Sequence, residues 1–216
     1  MVLSIRDFPL VYACYNMDFR EIINTGSILS KKELRSRGKP PEQKVGHMLL
    51  EETLGTDDDV TLYLDREFKG GNYYGGEIGP RLVFNPKVIF LEGAFILPQD
   101  QAGYHEEDYS KEYSPFSLGI KISCRKSEFE KDKISSDNEK TRFLLSYKDG
   151  KIKSLPEVHI PHELSLSFLE AILMPFDRVE ASFLNRLPHV NFLDVPYTGH
   201  DPLRWKKSFE SLWKMQ

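Results

Sequence analysis

The sequence predicts an α+β protein, and three observations carry that prediction. Segments of period-2 alternation are interleaved with segments of helical spacing, without the steady strand-helix-strand rhythm of a doubly wound sheet. Of the 216 residues, 40% are hydrophobic and 26 are aromatic (14 Phe, 10 Tyr, 2 Trp), enough to fill a substantial core. No internal repeat is visible, so a single domain over 1–216 is expected.

The elements follow in order. Phe8 to Tyr15 (FPLVYACY) reads as a short buried strand. Asn16 offers an N-cap, Met17, Phe19, Ile22 and Ile23 follow at helical spacing, and Gly26 supplies the stop. Lys31 to Lys44 holds six Lys/Arg against two Glu and ends its first half at Pro40-Pro41, after which a helix runs through Leu54. Gly55 to Asp59 is a turn. Val60, Leu62 and Leu64 alternate with Thr61, Tyr63 and Asp65, which predicts a strand. Lys69 to Gly76 (KGGNYYGG) is a loop with four glycines. Arg81 to Phe84 and Val88 to Leu91 read as strands split by an Asn85-Pro86 turn.

Pro98 to Pro115 reads as a long polar loop, and Leu118 to Cys124 alternates again. Arg125 to Lys140 carries five positive and five negative charges and reads as a solvated loop or surface helix, a candidate mobile insertion. Arg142 to Lys148 and Lys151 to Leu155 flank Asp149-Gly150, which predicts a hairpin. Leu166 to Leu173 is the next strand, stopped at Met174-Pro175. Asp177 caps a helix over Val179 to Leu187. His189 to Val195 is a last strand and Asp201 to Met215 a last helix.

Composition narrows the functional classes. With 29 Lys+Arg and 33 Asp+Glu the net charge is −4, which argues against a general polyanion binder. The basic run from Lys31 leaves room for a local anionic contact. Two cysteines, Cys14 and Cys124, cannot build a disulfide framework and fit a reducing compartment. No run of about 20 apolar residues offers a membrane span. Arg6 and Asp7 interrupt the region where an export signal would be apolar, so a cytoplasmic protein, or one exported without that signal, is expected.

Several residues stand out chemically. The first strand runs straight into a helix, whose free N–H groups sit beside the strand tip and could hold a phosphate or an amide. Glu170 lies inside an otherwise apolar strand (FLEAIL), where a carboxylate is costly unless paired or used to stabilise positive charge. Strict alternation would put it on one face with Phe168 and Ile172. Tyr73 and Tyr74 could stack on a flat ring. His159 and His162 are the closest histidine pair, but no further ligand accompanies them and no metal site is expected. Cys14 could serve a nucleophile's role beside a distant histidine, as in a hydrolase or deamidase, though a small core residue explains it as well.

Taken together, the order of short motifs resembles the ADP-ribosyltransferase fold. VYACYNMDFREIINTGSILSKKEL matches the opening of such proteins through Val11-Tyr12, Ile22-Ile23, Gly26 and Ile28-Leu29-Ser30. Thr61-Leu62-Tyr63-Leu64, the tyrosine-glycine loop, Val83 to Pro86 and SFLEAILMPFDRV continue in order, the last resembling the DarT-type DNA-targeting branch. The resemblance implies two small packed antiparallel sheets forming a central cleft, with flanking helices. It implies NAD as co-substrate and a macromolecular target, protein or nucleic acid, for a monomeric transferase of toxin or effector type.

In that frame Glu170 is the catalytic residue, steadying the ribose as nicotinamide leaves. Tyr63 stacks on the nicotinamide, and Tyr12, Ala13, Tyr15, Asn16 and Tyr74 complete the NAD site. One departure matters. The family places His or Arg at the tip of the first strand, where this chain has Tyr12, Ala13, Cys14 and Tyr15. Either another side chain, such as Asn16 or Arg20, supplies the polar contact, or the chain is a binding module that keeps the fold without the chemistry.

Overall fold

The computed structural model describes residues 3–14, 16–38, 45–68, 79–106, 123–174, 179–195 and 202–211. Among them are nine strands and seven α-helices. The strands are β1 (Leu10–Ala13), β2 (Ser27–Leu29), β3 (Asp59–Leu64), β4 (Arg81–Phe84), β5 (Phe95–Leu97), β6 (Glu157–Pro161), β7 (Glu163–Ser165), β8 (Leu169–Met174) and β9 (Asn191–Asp194). The helices are α1 (Asn16–Thr25), α2 (Lys31–Ser36), α3 (Val45–Leu54), α4 (Lys126–Asp132), α5 (Asp137–Lys148), α6 (Ala181–Arg186) and α7 (Pro202–Ser211).

The α+β class holds, and the two sheets are unequal. One has seven strands in the order β5-β6-β3-β1-β4-β8-β9, and the other is a two-stranded ribbon of β2 and β7. Every pairing is antiparallel except β8 with β9, which run parallel. β1 is central because its residues are apolar on both sides. Leu10 enters the larger core with Leu62, Leu64, Leu82 and Ile172. Val11 enters a smaller cluster on the opposite face with Val83, Ala171, Leu173 and Phe209 of α7. A third cluster under α3 and α4 joins Leu50, Leu54, Phe95, Tyr104 and Phe129.

Three expected strands are otherwise. Pro86–Phe90 is a 3-10 helix rather than a strand. Its cause is local: the Asn85 side chain accepts from the Lys87 backbone N–H, and Pro86 presets the first helical φ. The expected hairpin at Asp149-Gly150 is the C-terminal end of α5 instead. Thr141 to Lys148 continue the helix, and Gly150 takes φ +71°, the left-handed conformation that closes a helix.

The charged stretch 125–140 takes the surface-helix form, and α4 seats Phe129 with no exposure at all against Tyr104 and Phe95. The expected helix over Val179 to Leu187 begins at Ala181. Asp177, Leu118 to Ile122 and the KGGNYYGG loop lie outside the described residues.

The local excess of charge at α2 is largely matched by carboxylates. Lys31 pairs with Glu51, Lys32 with Asp58 at 3.1 Å, Arg35 with Glu52 at 2.5 Å and Arg37 with Glu33 at 2.8 Å. Lys31, Lys32 and Arg35 tie α2 to α3 and to the turn before β3, and Arg37 pairs within α2, so these cations are not a free surface for an anionic partner.

Candidate active site

The register places the predicted residues. Val11 faces Tyr63 of β3 and Val83 of β4, while Ala13 faces Arg81, which in turn faces Leu173 of β8. Paired residues project to the same side of a sheet. Ala13, Tyr63 and Arg81 therefore share the second face, and Tyr12 projects to the first, where it packs against the larger core. Tyr12 and Tyr63 are not brought together. The Asn16 backbone opens α1 directly beyond the strand tip. Tyr15, Tyr74 and the Asn16 side chain lie outside the described residues.

Sequence reasoning missed Arg81. Its signal was an arginine opening a strand that is buried at all four positions. It is 3% exposed, and Nη1 donates to the Gly79 carbonyl at 3.5 Å. Burial pushes its guanidinium below the usual arginine range, and nearby Cys14, Asp65 and Tyr63 pull the other way. A cation thus stands beside the tip of β1, on the neighbouring strand. Arg20, the candidate from sequence, is instead on the surface of α1 and pairs with Glu180 at 2.6 Å.

Asp65 is the second missed residue. It is 3% exposed, its N–H donates to the Pro9 carbonyl at 3.0 Å, and its Oδ1 accepts from Glu67 N at 3.1 Å. Cys14 is buried, and its thiol donates to the Pro80 carbonyl at 3.5 Å. The Cys14 backbone N–H donates to the same carbonyl at 3.3 Å. These two bonds fix Pro80 and hence the entry of β4. Among the described residues no group of three or more His, Cys, Asp and Glu could hold a metal ion.

Glu170 occupies an irregular position. Leu169 pairs with Phe84 and Ala171 with Val83, so the register shifts at Val83/Phe84 and Glu170 is the additional residue on β8. The strict alternation expected for this strand fails there: Leu169 and Ile172 both enter the larger core, Ala171 and Leu173 the smaller. The bulge leaves Glu170 half-buried rather than sealed. Its Oε1 accepts from Asn85 Nδ2 at 2.6 Å, and Asn191 Nδ2 donates to its backbone carbonyl at 3.1 Å. Glu170 stands at the Leu10 end of the sheet and Arg81 at the Ala13 end, about 8 Å apart along the strands at ~3.3 Å per residue.

No family model matches the chain. The DNA polymerase III polC-type protein of Streptococcus pyogenes serotype M3 is 24% identical over 200 residues, 90% of this chain and 13% of that protein. The chain therefore spans about an eighth of the curated relatives it matches. Among solved structures, a Thermus sp. 2.9 DarT in complex with ADP-ribosylated ssDNA superposes with a TM-score of 0.52 at 12% identity, over 90% of this chain and 97% of that one. A Thermosipho africanus DarTG in complex with ADP-ribose also gives 0.52 at 12% identity, over 92% of this chain and 51% of that one. The chain has a distant DarT-like ADP-ribosyltransferase fold.

Proposed function

We propose that the chain is an NAD-dependent ADP-ribosyltransferase whose acceptor is single-stranded nucleic acid, in a toxin or effector role. The observation that carries the reading is the buried Arg81 beside the tip of β1, on a fold of this class. It supplies, from the neighbouring strand, the cation that the first strand lacks. Complexes of a DarT with ADP-ribosylated ssDNA and of a DarTG with ADP-ribose support NAD and a nucleic-acid acceptor. The similarity to a stretch of a DNA polymerase points the same way.

In this reading the bond between nicotinamide and ribose C1′ breaks, and its electron pair leaves with nicotinamide. An acceptor base atom then bonds to C1′ and gives up a proton. Arg81 holds anionic or carbonyl oxygen of the dinucleotide, and its burial strengthens that contact because little water competes. Tyr63 offers a ring for the nicotinamide. Glu170 stabilises the positive charge that grows on the ribose. Its bond to Asn85 holds the carboxylate in one orientation, and the bulge keeps it open to a ligand.

The test is incubation of the protein with NAD labelled in its adenine half and with single-stranded DNA, duplex DNA or casein. Labelled single strands are expected. Glu170→Gln is expected to lower the rate by about 100-fold, the scale of removing one electrostatic contact in a transition state, with an unchanged circular dichroism spectrum. Equal labelling by both proteins removes Glu170 from the mechanism. NAD binding without nicotinamide release would instead favour the binding-module reading, which the missing first-strand His or Arg motivates.

A further inference from the structure

A cleft of about 200 Å³ opens where the residues before β1, the turn after β3 and α7 meet. Arg6, Arg66, Lys206, Glu67 and Glu210 line it, with Phe209 as its apolar wall. Phe209 belongs to the second-face cluster that also holds Val11, so the cleft lies on the side of the sheet that carries Tyr63 and Arg81.

Its charges are unevenly matched. Lys206 pairs with Glu67 at 2.7 Å, and nearby Lys148 pairs with Asp7 at 2.7 Å. Glu210 is exposed. Arg66 differs from the lysines because all its contacts are neutral. Nε donates to the Asp7 carbonyl at 2.8 Å, Nη1 to the Lys148 carbonyl at 3.4 Å, and the guanidinium lies 4.6 Å from the centre of the Tyr147 ring. Nη2 is shielded from water and has no acceptor among the described residues. A partly buried cation is favourable when an anion compensates it. Here the protein fixes the guanidinium through neutral groups, with the exposed Arg6 on the rim, and among the described residues no carboxylate forms an ion pair with it.

We infer that this cleft is a phosphate-binding site, with Arg66 as its anchor and Arg6 at its mouth. Guanidinium groups suit it because their planar donors match phosphate oxygens. The inference rests on the proposed reading in one respect: an acceptor strand lying along the second face would bring a backbone phosphate here while its base meets the transferase site. The same chemistry would also accept a free pyrophosphate, so the test separates the two.

Binding is read without NAD, so its failure is distinct from a failure of transfer. Anisotropy of a fluorescein-labelled 12-nucleotide oligothymidylate is measured against salt for wild type, Arg6→Ala and Arg66→Lys. Both variants are expected to bind several-fold more weakly; Arg6→Ala, which removes a charge, is also expected to flatten the salt slope by about 0.7 for the single-strand phosphate no longer neutralised, whereas Arg66→Lys keeps the charge and loses only the planar fork of donors. A methylphosphonate strand, uncharged, is expected to bind all three proteins equally. Inorganic pyrophosphate is titrated calorimetrically in a parallel arm. Variant-sensitive binding in that arm, without strand sensitivity, would keep the phosphate site but assign it to a small ligand. Wild-type affinity and slope in both variants and both arms would overturn the proposal. Arg6→Ala keeps the test valid if Arg66→Lys fails to fold, because Arg6 is an exposed residue.

Discussion

At the residue scale, the Asn85–Glu170 pair joins fold and chemistry. One amide does two jobs: Oδ1 accepts from Lys87 N at 3.0 Å and starts the 3-10 helix, and Nδ2 donates to the Glu170 carboxylate at 2.6 Å. Asn85→Ala removes both bonds and is expected to cost about 1–2 kcal/mol, since the carboxylate is half-buried and partly screened. Urea unfolding measures it, and a loss below about 0.5 kcal/mol, the level of an ordinary surface change, would mean that the pair is incidental. Glu170 itself was legible as an anomaly, a carboxylate in an apolar strand. Its bulge was not, because a register shift depends on the partner strand and leaves no mark on the strand's own sequence. Arg81 escaped for a related reason. A charge at a strand's first position reads as an exposed end until β1 and β8 are seen on either side of it.

At the scale of elements, the misread pieces share one cause. Asp149-Gly150 is a hairpin signal only if both flanks are strands, and the same left-handed glycine also ends a helix. The Ser136 side chain caps α5 by accepting from Glu139 N, so the helix has start and stop signals that outweigh the turn. Gly150→Ala forces a Cβ into φ +71°, where nothing lies within 4 Å to add a clash. The expected cost is therefore the conformational one, about 1 kcal/mol, read from thermal unfolding, and a loss above about 3 kcal/mol would point to a contact at Gly150 beyond the strain of φ. Gly93 provides the contrast. It has φ +75° and a Cβ there would stand 2.9 Å from Pro161 Cγ, so Gly93→Ala is expected to destabilise more than Gly150→Ala. The strands β2, β5 and β7 were missed because three residues carry too little periodicity to register, and β6 because its buried Glu157 and His159 read as polar positions.

At the scale of the whole molecule, the charges that looked like surface features hold distant segments together, and the deepest of them makes stability depend on pH. His159 of β6 is fully buried. Its Nε2 lies 3.3 Å from Glu157 Oε2 and its Nδ1 3.4 Å from Asp59 Oδ2 on β3, while the Phe95 ring of β5 stacks on it at 4.6 Å. Gln101 N donates to the same Glu157 oxygen at 2.9 Å, and Lys133 lies 5.0 Å from the Phe95 ring centre. Burial opposes a charge on His159, but the nearby Asp59 carboxylate and the hydrogen-bonded Glu157 carboxylate outweigh it, so its pKa is raised above 6.5. Burial also raises Glu157 above 4.5, with neighbouring Asp100 adding to the shift and His159 and the Gln101 N–H opposing it. Both shifts have one sign. The folded chain binds these protons more tightly than the unfolded chain, so the stability they contribute is complete below the unfolded values and is lost as pH rises through the folded ones. Unfolding free energy is therefore expected to fall as pH rises above the unfolded values, from 4.5 for Glu157 and from 6.5 for His159, with a slope bounded by about 1.4 kcal/mol per pH unit for each proton released. Chemical denaturation at pH 6, 7 and 8 measures that slope, and the double variant Glu157→Gln/His159→Gln is expected to flatten it. Equal stability of the wild type across this range, or the same slope in the double variant, would show that β3, β5 and β6 are not held together by a shared proton.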